Sequence, residues 1–178
     1  MIGHSSPYTL RVCLFFPNPR KDRRMTKKLF LAATIAAATA LPAAAQFQKP
    51  EDAIKYRQSV FTVLANHFGR VAGMAQGRIP FDAQAAAANA ALANSLAPLA
   101  FTAFGPGTDK GMPNRSTPEI WSKAAAFKGK ADEMVAAMAK LDAAAKTGNL
   151  DQIKAAVGPV GGTCKGCHDD FRAEKYSN

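Results

Sequence analysis

From residue 50 onward the apolar residues of this chain recur three and four positions apart, in four runs separated by glycine, proline and polar punctuation. That period places each set on one side of an α-helix, and a strand's two-residue alternation appears nowhere. The first run begins at Pro50-Glu51-Asp52, a proline and two acids suited to a helix N-terminus, and fades near Gly77. Its stripe is Ile54, Arg57, Phe61, Leu64, Phe68, Val71 and Ala75. The second follows Pro80, with Asp82 as N-cap, and reaches about Ala103; Ala85, Ala88, Leu92, Leu96 and Leu99 line it, and Pro98 is expected to bend or shorten it. After the Gly/Pro-rich "FGPGTDKGMPNRSTP", the third opens at Thr117-Pro118-Glu119, carries Trp121, Ala124, Phe127, Ala131, Met134, Met138, Leu141 and Ala145, and stops at Gly148. The fourth starts at Asn149 and shows Leu150, Ile153, Val157, Val160, Cys164, Cys167 and Phe171, with a kink expected where Gly158-Pro159 and Gly161-Gly162 interrupt it. Two short turns and one longer loop make the expected fold an all-α, antiparallel up-down-up-down four-helix bundle over residues 46–178.

Residues 25–45 read differently. Lys27 and Lys28 precede an apolar stretch from Leu29 to Leu41, and Ala43-Ala44-Ala45 supplies small residues where a signal peptidase cuts. The expectation is a signal peptide cleaved between Ala45 and Gln46, with an uncleaved membrane anchor as the alternative. Residues 1–24 fit no export element, and Met25 is the expected true start. Removing residues 1–45 takes away Cys13 and most of the charge. The chain carries +10 in all, but residues 46–178 hold 16 Lys/Arg against 12 Asp/Glu, without a basic cluster on one face. A nucleic-acid partner is therefore not expected.

In an exported chain the two remaining cysteines stand in an oxidising compartment as Cys164-Lys-Gly-Cys167-His168. Three chemistries use such a pattern. A thioredoxin-like dithiol belongs at a helix start beside a sheet, and no strand is visible. Structural zinc wants four ligands, and beyond these three only His67, far away in the chain, is available. Covalent haem uses both thiols for thioether bonds and the histidine for iron, and is the reading adopted. Arg57 bears on the same choice. A guanidinium on an apolar helix face calls for an anion, which a haem propionate would supply in bidentate form; the alternative is a side chain that snorkels to the bundle end.

The stretches "QFQKPEDAIKYRQS", "AFGPGT", "RSTPEIWS" and "CKGCHDDFR" together resemble the cytochrome c′ family, itself an instance of the up-down bundle. The resemblance covers residues 46–178. It implies one covalent haem c per chain, with Cys164 and Cys167 as thioether cysteines and His168 as the iron ligand. It also implies Arg57 near the propionates, Phe61 over the distal face, and Arg172 beside the proximal histidine, where a four-residue spacing independently puts it on the helix face of His168. The low-spin branch of the family uses a first-helix methionine as sixth ligand, and "YRQSVFTVL" has none. Met74 lies too far along the helix, Met134 and Met138 fit the core stripe, and His67 points to solvent or a partner subunit. Five-coordinate iron is expected.

Phe61, with neighbours Phe101, Phe104 and Trp121, would give an apolar site that favours NO and CO over O₂. The expected function is a periplasmic haem protein that binds NO or CO and transfers single electrons to an unidentified redox partner, without enzymatic activity. A simple electron carrier is the alternative. A peroxidase needs distal acid–base groups, and apart from Arg57 the first helix offers none; a purely structural bundle would carry no haem. Tyr56, Val60, Val63 and many alanines on the outer faces of the first two helices point to a homodimer, and no membrane anchor is expected in the mature form.

Overall fold

The computed structural model describes residues 46–177; the expectations for residues 1–45 lie outside them. Helix α1 (Pro50–Ala75) begins with proline in its first turn, followed by Glu51 and Asp52. Helix α2 (Ala83–Phe101) is capped by Asp82, whose Oδ1 accepts the Ala85 N–H at 2.9 Å, an interaction worth about 1 kcal/mol. Strand β1 (Asn114–Ser116) follows a long loop and leads into the short α3 (Glu119–Ser122) and the long α4 (Ala124–Lys146). Gly148, at φ 67°, turns the chain in the left-handed region. Asn149 then caps α5 (Leu150–Phe171), its side chain accepting from the N–H groups of Asp151 and Gln152. Strand β2 (Arg172–Ser177) ends the description by pairing antiparallel with β1, Ser116 opposite Arg172 and Asn114 opposite Ser177.

The long helices close a ring: α1 packs on α2, α2 on α4, α4 on α5, and α5 back on α1. This is the expected four-helix bundle, with three departures. The third helix is divided, because Lys123 leaves helical geometry (φ −118°, ψ 44°). The indole Nε1–H of Trp121, donating to the carbonyls of Phe104 and Gly105, holds α3 to the preceding loop, and the chain is redirected before α4 begins. The fourth helix runs uninterrupted through Pro159 and its flanking glycines. Pro159 lies on the exposed side, where water can satisfy the carbonyl it leaves unpaired. The small β1–β2 pair is the third departure.

The apolar stripes of α1, α4 and α5 face the core as expected except at Ala124, which is exposed at the start of α4, and Met74, Met134 and Met138 are buried in the core. The stripe of α2 is rotated. Ala86, Ala90, Ala93, Ala97 and Ala100 are buried, while Leu92 and Leu99 are 49% and 40% exposed and Ala88 is exposed. Alanines on the inner face let α2 approach its neighbours closely, and the larger Leu92 and Leu99 take the outer face. Val60, expected on the outside of α1, is buried. The two α2 registers are separable by mutation. Ala93→Leu overpacks the core and lowers stability by about 1–3 kcal/mol in denaturant unfolding, whereas Ala88→Leu changes it by less than about 0.5 kcal/mol.

Candidate haem site

Cys164 and Cys167 lie one turn apart on α5, both half-buried and free. They meet different surroundings. Cys164 packs against the main core, built from all four long helices. Cys167 packs against a second, aromatic cluster around Ile120, Phe127 and Phe171, with Phe101, Phe104 and Trp121 at its edge. Burial pushes both thiols above their ordinary pKa; at Cys167 the proximity of Cys164 adds to this and Lys130 opposes it. Such thiols are protonated at neutral pH, unlike the activated thiolate of a redox dithiol. Among the described residues no group of three or more His, Cys, Asp or Glu is placed to hold a metal ion, so the zinc alternative has no donor set.

The aromatic cluster reaches α1. The Phe61 ring meets Phe101 edge-on at 5.6 Å between centroids and Phe104 at 6.4 Å; Phe127 lies 4.9 Å from Phe104, 5.9 Å from Phe101 and 5.3 Å from Phe171. Phe61, Phe101, Phe104 and Trp121 thus come together as expected. On the outer side of this cluster a groove of about 460 Å³ runs between the end of α2 and the start of α4, lined by Phe101, Phe104, Trp121 and Phe127 among others. Neither cysteine lines it.

His168 occupies the last turn of α5 and is exposed as a residue, although its ring is crowded enough to disfavour the charged form. That desolvation, then the positive charges of Arg172 and Arg115, hold its pKa below the ordinary histidine value, which keeps a ring nitrogen available to a metal. Arg172 stands one turn beyond His168, as the four-residue spacing assigns, but it is not itself helical. The helix ends at Phe171, and Arg172 is its extended C-cap (φ −121°, ψ 119°), with its backbone N–H on the His168 carbonyl. The two residues are brought together by that cap and by β2. Arg115, the second cation, went unnoticed in the sequence because "PNRSTP" carries neither alternation nor helical period.

Arg57 is 2% exposed, so it does not snorkel. Among the described residues no carboxylate forms an ion pair with it, although Asp109 is near enough to act on its charge. One terminal nitrogen donates to the Ala103 carbonyl (3.0 Å) and Thr108 Oγ1 (2.9 Å), the other to the Thr108 carbonyl (2.8 Å) and Ser116 Oγ (3.0 Å). The guanidinium also lies 4.4 Å over the Phe104 ring. Burial lowers its pKa to about 10, with Asp109 opposing. Four neutral oxygens of the 103–116 segment thus occupy the terminal nitrogens, and Nε–H is the donor left for an anion.

Two half-buried thiols one turn apart, a following histidine kept neutral and an adjoining wall of phenylalanines fit a covalently attached porphyrin. A sequence profile described as cytochrome c′ matches residues 52–172. The chain belongs to the cytochrome c′ family. The cytochrome c′ of Rubrivivax gelatinosus is 65% identical over 127 residues, spanning 71% of this chain and 98% of that protein. Its crystal structure superposes with a TM-score of 0.70 at 64% identity, covering 71% of this chain and 99% of that one. A nitric oxide complex of a leucine-to-alanine variant of the Alcaligenes xylosoxidans protein gives a TM-score of 0.68 at 48% identity, covering 73% and 100%. Cytochrome c′ proteins carry a covalent c-type haem, and Cys164 and Cys167 fit its attachment motif here.

Proposed function

We propose that this cytochrome c′ binds NO or CO at five-coordinate, high-spin iron and passes single electrons, in the periplasm and without enzymatic turnover. A haem held there would supply a one-electron redox couple and an iron able to bind a diatomic ligand. Cys164 and Cys167 anchor it to α5, and His168 provides the one protein ligand. Phe61, packed on Phe101 and Phe104, would shield the iron from water. Arg172 stands beside His168. Arg57 fixes the 103–116 loop and can reach a haem carboxylate through Nε–H.

The observation that carries this reading is that, among the described residues, the rings meeting Phe61 are those of Phe101 and Phe104, which carry no iron-ligating atom. The candidate sixth ligands sit elsewhere. His67 bonds Asn89 through Nδ1 at 2.7 Å, and Met74 is buried in the main core. An apolar wall gives bound O₂ no hydrogen bond, while NO and CO need none. Nitric oxide is bound in the Alcaligenes xylosoxidans structure named above, which supports the same ligand here.

Val63, Leu92 and Leu99, exposed on α1 and α2, make a second copy of the chain the proposed structural partner. Among the described residues no helix is long and apolar enough to cross a membrane. The signal peptide, with cleavage after Ala45, remains part of the proposal, and N-terminal sequencing of exported protein tests it.

Absorbance spectra of the purified protein, oxidised, reduced, and reduced with NO or CO, test the main reading. High-spin spectra that change on adding either gas are expected. A colourless protein, or a low-spin ferrous spectrum indifferent to CO, would overturn it. An electron carrier without a gas-binding role would exchange electrons quickly with a partner and bind NO only weakly and slowly.

A further inference from the structure

Several bonds converge on the segment after α5. The Thr117 N–H donates to the Phe171 carbonyl at 3.2 Å, and Ser116 pairs with Arg172 across the sheet. The Nε–H of Arg115 donates to the Ala173 carbonyl at 2.6 Å. Arg172 in turn caps α5 on the His168 carbonyl, and Ser116 Oγ accepts from Arg57. A continuous tie therefore runs from α1 through β1 to the residue beside the histidine. A two-stranded pair this short does not hold by itself in water, so a side-chain bond across it matters. Arg115 and Arg172 are both cationic and stand on the two paired strands, so the β1–β2 contact also holds two positive charges at the end of α5.

We propose that Arg115 is a positioning residue of the proximal face: by tying β2 to β1 it keeps Arg172 beside His168, so that two cations rather than one tune the iron. This rests on the haem reading above. Oxidised haem carries one more positive charge than reduced haem, so neighbouring cations favour the reduced form and raise the reduction potential.

The test uses the holoprotein and two uncharged replacements. Glutamine places an N–H donor at the same distance along the side chain as the arginine Nε; alanine has none. Trypsin cleavage after Arg172 and Lys175, followed by mass spectrometry, reads the strand, and the midpoint potential reads the iron. Arg115→Ala is expected to be cut roughly tenfold faster, the population ratio that one such bond commands, and to have a lowered potential. Arg115→Gln is expected to keep the strand protected and to hold a potential between parent and Arg115→Ala, because Arg172 stays in place. Unchanged cleavage in Arg115→Ala overturns the proposal, as do equal potentials for the two variants, which would show a pure charge effect. Should Arg115→Ala not fold, a glutamine variant that is cut faster than the parent, or whose potential equals the parent's, overturns it alone. A parent without a haem spectrum fails the underlying reading; a parent with that spectrum and insensitive variants fails this proposal only.

Discussion

Phe61→Ala is expected to raise the rate of CO binding to the reduced protein by about two to three orders of magnitude, a barrier reduction of about 3–4 kcal/mol. The ring is the α1 contribution to the phenylalanine wall, and its removal leaves a space that the remaining rings do not fill. Phe101 and Phe104 are held from behind by Phe127, at 5.9 and 4.9 Å. Collapse is therefore limited, and a ligand gains the volume. Stability falls by about 2 kcal/mol, less than the 3–5 kcal/mol of a fully buried phenylalanine, because Phe61 is only half-buried. Flash photolysis of the CO complex measures the rate, and Phe61→Leu is expected to fall between parent and alanine variant. Equal rates in all three would remove Phe61 from control of the site.

The largest loss of stability is expected from Arg57→Ala, about 3–5 kcal/mol in denaturant unfolding with an unchanged m-value. Its four donations end on oxygens of Ala103, Thr108 and Ser116, and Ala103 and Thr108 are themselves buried. Truncation strands these acceptors where water cannot easily reach them, and orphaned groups account for most of the loss. Faster amide exchange over residues 103–116 should accompany it. Arg57→Lys is expected to recover only a minor part, since one ammonium cannot span the Thr108 and Ser116 oxygens together. A variant as stable as the parent but with an altered reduction potential would mean that Arg57 serves the haem edge rather than the loop.

Residue type and spacing made much of this legible in advance. Helices α1, α4 and α5 place large apolar side chains on one face and charges on the other, so their inward sides read directly. In α2 the period carries little information, because alanine and leucine are both apolar and lie all round the helix; close packing, not hydropathy, selects the alanine face. The burial of Arg57 was legible from its place in a stripe, but its partners were not. They are largely backbone carbonyls, which any residue supplies. The end of α5 at Phe171 has no glycine or proline to mark it, so Arg172 read as helical when it begins a strand. Strand β1 is three polar and charged residues long, too short to show alternation, and Arg115 stayed hidden with it.

The unbroken course of α5 through Gly158, Pro159, Gly161 and Gly162 has a consequence for biogenesis. Those residues oppose helix formation by about 6 kcal/mol relative to alanine, so the stretch ahead of the thiols coils only once its neighbours clasp it. A newly made polypeptide would thus offer both sulfurs on a limp tether, open to whatever ligates the porphyrin, and stiffen around the pigment afterwards.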